Sequence, residues 1–482
     1  MKIKEFIKKN KVTILFILML VGITLLMMIF RAEYDTDYFW HIKAGKYMVT
    51  HHTILTKDVF SWIVYGKSWM AHEWLFEVLI YLLSLIAPKN HILIYCFITT
   101  LGILLVLYLT NKKNYEKNIP FTLIWLTFFI ILFGVGIITP RPHMLDYIML
   151  PLVIYLCYDL KKNENSKKIY FLPLISVIWV NLHGGSSNLI YIVPIIFLIT
   201  GLFNFSFGKI EEKRLSKKQI LTYLIVILIA TGVLLINPRG IKILYYPYLN
   251  MNSTYMLKTI NEWQPSNLNS MTHYPYFVLL LFGVIIILIS KKKLSLTDGL
   301  LFLFFMYLGL KSIRFWFYTY LVLNYIVFDY VKEREYDKDT YLILSLVVAG
   351  LFTLGIGYKD DVKYNTKVPL NDNTIDCLKR LKPKRLFNMY NYGGYLVYKD
   401  FKVFMDGRAD LYYNYNYHDY FAISNLDGDY KNIINKYNFD YLIVTSTYSI
   451  NNYLGYNPDS YELIYSSGEV RIYKNLNYRE EG

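Results

Sequence analysis

"KVTILFILMLVGITLLMMIFRAEYDTDYFWHIK", residues 11–43, runs from an uncharged apolar stretch (12–30) straight into three acids, Glu33, Asp35 and Asp37, among aromatic side chains. A helix crossing a bilayer needs ~20 predominantly apolar residues, and 12–30 supplies them. The run follows a basic N-terminus and no small-residue cleavage site comes after it, so it reads as a retained anchor. The acids therefore emerge at a membrane surface, where ionisable groups mark functional positions by default.

The rest of the chain repeats this grammar. Of 482 residues 55% are hydrophobic, and they fall in runs near 12–30, 73–87, 91–110, 120–139, 143–159, 169–183, 186–206, 218–236, 275–290, 298–311, 314–330 and 340–357. Lipid admits only backbones bonded within themselves, so the runs read as helices of a polytopic membrane protein. The formal charge of +15 sits in short lysine-rich loops such as "KKNENSKK" and "GKIEEKRLSKK". That is the positive-inside pattern and not a nucleic-acid surface. It places the N-terminus in the cytoplasm and residues 31–72, the segments around "RPH" (141–143) and "NLHGG" (181–185), the stretch 237–273 and the C-terminal tail outside. Twelve runs conflict with an odd number of crossings. The run 73–87 is short and carries Glu73 and Glu77, so it is expected to lie along the outer face, which gives 11 crossings, with 13 as the alternative. Of nine histidines only His91 falls away from the outer face. Three cysteines form no metal or disulfide pattern.

The composition changes after 357. "RLFN", "KVFM", "DYLIV", "YELIYSS" and "EVRIYK" read as strands, 370–382 and 428–438 as helices, and "NYGGY" and "DGR" as turns. The expected organisation is a transmembrane domain over 1–357, with 31–72 as a first outer loop of membrane-parallel helices, and an extracytoplasmic mixed α/β domain over 358–482.

Chemistry collects in three places. Asp35 and Asp37 lie within one turn, and such a carboxylate can take a proton from an attacking hydroxyl; helix capping is the alternative for the same pair. Arg141, Arg239 and Arg314 stand near outer ends of spans, where arginine can grip phosphate with two bonds or snorkel to the headgroups. Asn181, His183 and Glu262 interrupt apolar sequence in "NLHGG" and "NEWQP", as residues lining a cavity or as a satisfied turn.

The ordered set "DTDYFWHIKAGKYM", "ILTKDVFSW", "GKSWMAHEWLFEVL", "RPHML", "NLHGG", "NPRG", "NEWQP" and "FMDGRADLYY" resembles a bacterial family of GT-C-type glycosyltransferase-like multispanning membrane proteins, related to the dolichyl-phosphate-mannose protein mannosyltransferases. The resemblance covers nearly the whole chain, and departs from the family at Phe39-Trp40, where that family has a tryptophan pair. It implies transfer of a sugar from a polyprenyl phosphate to an envelope glycan, lipid or protein on the outer face of a bacterial membrane. Asp37, then Asp35, would be the base. Arg239, Arg314 and Arg141 would meet the donor phosphate, and Trp40, His41, Glu73, Asn181, His183 and Glu262 would line the substrate. No cofactor is implied, although two acids beside His41 leave room for a divalent metal. An envelope-lipid transporter or flippase, a scaffold, and a glycan polymerase or ligase are the competing readings. A transporter would carry an internal repeat and broken helices at the midplane, and neither stands out.

Overall fold

The computed structural model describes residues 10–29, 35–134, 138–251, 260–332, 343–351 and 368–480. Glu33, half of the run 340–357 and most of the basic loop at 331–338 lie outside the described residues. The chain is mostly helical and divides into two compact units, Met1–Ala32 with Ile92–Tyr364, and Glu33–His91 with Asn365–Gly482. This cuts the chain differently from a boundary at 357/358, because Glu33–His91 clusters with the C-terminal residues.

The first unit is built from apolar helices. Five are long and apolar enough to cross a membrane among the described residues: Lys11–Ile29, His91–Thr110, His143–Lys162, Lys217–Leu235 and Met271–Ile289. Shorter apolar helices, among them Ile119–Leu132, Lys168–Leu182 and Gly184–Thr200, fill the sequence between them. Many carry leucine and isoleucine outward, for example Leu228 and Ile289 at 72% and 75% exposure, as lipid-facing surfaces do. Local signals explain the ends. Ser216 and Gln219 form a reciprocal capping box at the head of Lys217–Gly232. Inside, polar side chains tie helices together where water is absent. Asn324 Oδ1 accepts from Trp125 Nε1 at 2.9 Å and from the Tyr115 hydroxyl at 2.5 Å. The basic loops around 207–218 and 291–297 join in an unexpected three-stranded sheet, β1 (Phe205–Phe207), β2 (Ile210–Glu212) and β3 (Leu294–Ser295). It presents Glu212 to Lys161 at 2.8 Å.

The second unit is α/β. Its sheet has the order β4 (Phe387–Asn388), β5 (Tyr441–Thr445), β7 (Val470–Asn475), β6 (Tyr461–Ser467), with β4 parallel to β5 and the other pairs antiparallel. Helices Asp372–Leu381 and Tyr430–Tyr437 are amphipathic, the first capped by Asn371 onto the Thr374 amide. Two expectations need correction. "KVFM" forms no strand; only Val403 makes a parallel bridge, to Ser61. "NYGGY" is no turn but part of the helix Tyr390–Tyr398. Its glycines allow close approach of backbone: a Cβ at Gly393 would lie 2.1 Å from the Met405 carbonyl oxygen, and one at Gly394 2.2 Å from that of Thr36. The helices Tyr38–His51 and Trp74–Ile86 pack together in this unit, so closely that a Cβ at Gly45 would lie 2.0 Å from the Glu77 carbonyl oxygen.

Candidate functional site

The two aspartates of the opening stretch take different jobs. Both stand at the start of the helix Tyr38–His51. Asp35 is buried, and its Oδ1 accepts from the amides of Asp37 at 2.8 Å and Tyr38 at 3.3 Å. It satisfies amides that a helix start leaves without partners. Asp37 makes no capping bond and its side chain stays half-buried. Asp37 Oδ1 lies where a Cβ on Gly407 would be 1.7 Å away, and the Trp40 Nε1 is 3.0 Å from that same point.

The turn that carries Gly407 is fixed from both sides. Arg408 is buried and pairs with Asp406 through Nη2 at 2.6 Å and with Asp58 through Nη1 at 2.6 Å. Tyr412 donates to Asp406 at 2.9 Å, and Asp58 accepts from Ser61 Oγ at 2.6 Å. The guanidinium lies 4.9 Å from the Trp69 ring centre. Two carboxylates and their donors thus meet the guanidinium fork, which is what a buried charge requires.

One turn along from Asp37, His41 stands between two acids. Its Nδ1 is 3.3 Å from Glu77 Oε1 and its Nε2 is 3.5 Å from Glu73 Oε2. The Trp40 ring lies 3.7 Å from the imidazole and the Phe76 ring 5.2 Å. Burial, then the neighbouring Glu73, push the Glu77 carboxyl well above the usual carboxylate range, against the opposing pull of Arg408.

The first unit holds its own polar groups. Arg314 bonds Glu262 at 2.8 Å, and Arg141 approaches the other oxygen of the same carboxylate at 3.6 Å. Arg314 also lies over Trp263 at 5.2 Å. Burial by itself would raise Glu262; the guanidinium groups of Arg314 and Arg141 overcome it and hold the carboxyl at about 2. Arg239 is placed over the Tyr246 ring, 4.2 Å away, on the turn that Asn237 closes by accepting from the Arg239 amide. Asn181 donates to the Val177 and Ile236 carbonyls, at 2.8 and 2.9 Å, and so ties its own turn to the segment before Arg239. His183 is buried against Asp146, with Nδ1 2.5 Å from Oδ2. Asp146 also accepts from Ser186 at 2.6 Å, Trp179 at 2.7 Å and Tyr318 at 2.5 Å.

Sequence reasoning did not single out Asp146, Ser186, Tyr318, Asp406, Gly407 or Arg408. "DGR" reads as a turn, but its contacts with Asp37 and Asp58 join residues far apart in the chain. Asp146 lies inside the apolar run 143–159, whose composition reads as a span.

No protein-family model matches the chain, and no curated protein matches it. Solved structures do match, and they share their fold with this chain. One is the oligosaccharyltransferase of Archaeoglobus fulgidus tethered to an acceptor peptide: TM-score 0.52, 12% identity, covering 92% of this chain and 70% of that one. The same enzyme in its apo form gives a TM-score of 0.51 at 11% identity over 91% of this chain and 70% of its own. At such identities the likeness is one of fold.

Proposed function

We propose that the protein is a membrane glycosyltransferase that moves a sugar from a polyprenyl-phosphate donor to an envelope acceptor on the outer face. The observation that carries this reading is the placement of two acids at the head of Tyr38–His51: Asp35 accepts from two backbone amides, and the half-buried Asp37 carboxylate lies against Gly407. In an inverting transfer Asp37 takes the proton of the acceptor hydroxyl as its oxygen bonds to the anomeric carbon. The bond from that carbon to the phosphate oxygen breaks, and the phosphate departs with the electron pair. Charge on a departing phosphate is met best by fixed guanidinium groups. Arg141 and Arg314 are the candidates, with Glu262 as the counter-ion they exchange for phosphate; Arg239 is a separate candidate on its own turn.

The topology supports an outer location. Residues 33–91 and 365–482 form one compact unit, so they share one face of the bilayer. The lysine-rich loops favour a cytoplasmic N-terminus and 11 or 13 crossings in total, and one crossing by Lys11–Ile29 from that start supports an outer location for the unit.

The experiment is a deletion in the source organism followed by mass spectrometry of its lipid-linked sugars. The reading expects one polyprenyl-phosphate sugar to accumulate and to return to its normal level when the gene is restored. Unchanged lipid-linked sugars in the deletion strain would remove the donor assignment.

A further inference from the structure

Proton transfer at Asp37 gives no chemical step to His41 and Glu73, which the resemblance expects to line the substrate, or to Glu77. One nitrogen or oxygen from each lies within 4.8 Å of the others. All three side chains are buried, and Glu77 is fully so. Two carboxylates in one water-poor place repel each other. The nearby Arg408 guanidinium does not resolve this, because Asp406 and Asp58 already engage it. Glu77 Oε2 is also buried with no hydrogen-bond partner. A buried acceptor left in that condition carries its desolvation penalty uncompensated. An imidazolium bridging the two acids would account for Glu77 Oε1 and Glu73 Oε2 and would still leave Glu77 Oε2 unmet.

We infer that His41, Glu73 and Glu77 form a binding site for one divalent transition-metal ion such as Mn²⁺ or Zn²⁺. An imidazole with two carboxylates suits these ions better than Mg²⁺ or Ca²⁺, which favour oxygen ligands alone. Glu73 and Glu77 are four residues apart at the head of Trp74–Ile86, so both project from one side of that helix. The close helix contact at Gly45 brings Glu77 to the neighbouring helix, and the Trp40 and Phe76 rings orient the imidazole. Three protein ligands leave coordination positions open to water or to an anionic oxygen. The inference does not depend on sugar transfer, since binding is measured without turnover.

The test uses the purified full-length protein in detergent, stripped with chelator and titrated with Mn²⁺, with the free ion followed by electron paramagnetic resonance. One ion per chain is expected to bind, and the ion is expected to raise the unfolding temperature. Glu77→Gln and His41→Gln should each weaken binding by at least ~10-fold, since loss of a mere outer-shell partner already costs ~10–100-fold. Glu77→Gln keeps the side-chain shape, and an unfolding temperature without metal at or above that of the unaltered protein shows that it is folded. Absence of saturable Mn²⁺ or Zn²⁺ binding below about 1 mM, a dissociation constant worth only ~4 kcal/mol, would overturn the site. Equal binding by the two variants and the unaltered protein would overturn it as well. Metal-free sugar transfer alongside such a result would leave the proposed function standing and remove the metal alone.

Discussion

Asp37 and Gly407 touch across more than 350 positions of sequence: a single carbon added to Gly407 would lie 1.7 Å from Asp37 Oδ1. No side chain other than hydrogen fits at 407 while Asp37 stays where it is. Gly407→Ala should therefore move the Asp37 carboxylate without altering its chemistry. A displacement of ~1 Å in a reacting group can cost ~10²-fold in rate. Turnover is expected to fall by that order while donor binding holds, and an unchanged rate would show that the contact does not position the base.

The two aspartates should separate by assay. Asp37→Asn is expected to lower turnover by ~10²–10⁴-fold, the usual effect of losing a general base. Its unfolding temperature should stay at the unaltered value. Asp35→Ala should do the reverse, lowering stability by ~0.5–2 kcal/mol through the lost cap with a modest loss of rate. Thermal unfolding and turnover on the same preparations decide the matter.

Arg408 is expected to be intolerant of replacement for structural reasons. Arg408→Met would leave Asp406 and Asp58 buried without a counter-charge, a kind of change that costs ~3–5 kcal/mol. Limited proteolysis should show the 368–480 segment cleaved in this variant and protected in the unaltered protein.

The Glu262 ion pairs give a pH signature. The folded carboxyl is held at about 2, below the ~4.3 of an unfolded glutamate. A depressed folded value stabilises above the unfolded value and loses that effect as pH falls toward the folded one. The difference in unfolding temperature between the unaltered protein and Glu262→Gln should be flat above about pH 5, where an unfolded glutamate is already ionised. It should shrink between there and pH 2, and a difference that grows on acidification would contradict the pairing.

The apolar runs were legible because a bilayer demands length and hydropathy, and Lys11–Ile29 and His91–Thr110 stand close to where those demands place them. The helices expected over 370–382 and 428–438 form as Asp372–Leu381 and Tyr430–Tyr437. What sequence concealed was contact between distant segments. Nothing local in "ILTKDVFSW" or "FMDGRADLYY" says that Asp58 and Arg408 share a salt bridge of 2.6 Å. The glycines of "NYGGY" read as a turn because glycine favours turns, whereas here they serve helix packing against the carbonyls of Thr36 and Met405. Cys377 lies in the polar tail and is nonetheless buried. An outer-face label is better placed by Tyr456→Cys, a position 86% exposed, and reaction of that thiol with an impermeant reagent in intact cells is the expected result.

The central claim is that Asp37 activates an acceptor against a polyprenyl-phosphate sugar. The direct measurement is release of polyprenyl phosphate from the lipid that accumulates in the deletion strain, by purified protein in lipid nanodiscs with envelope acceptor added. The account predicts acceptor-dependent release by the unaltered protein, slowed by ~10² or more in Asp37→Asn with donor binding unchanged. Equal release by the two proteins would contradict it.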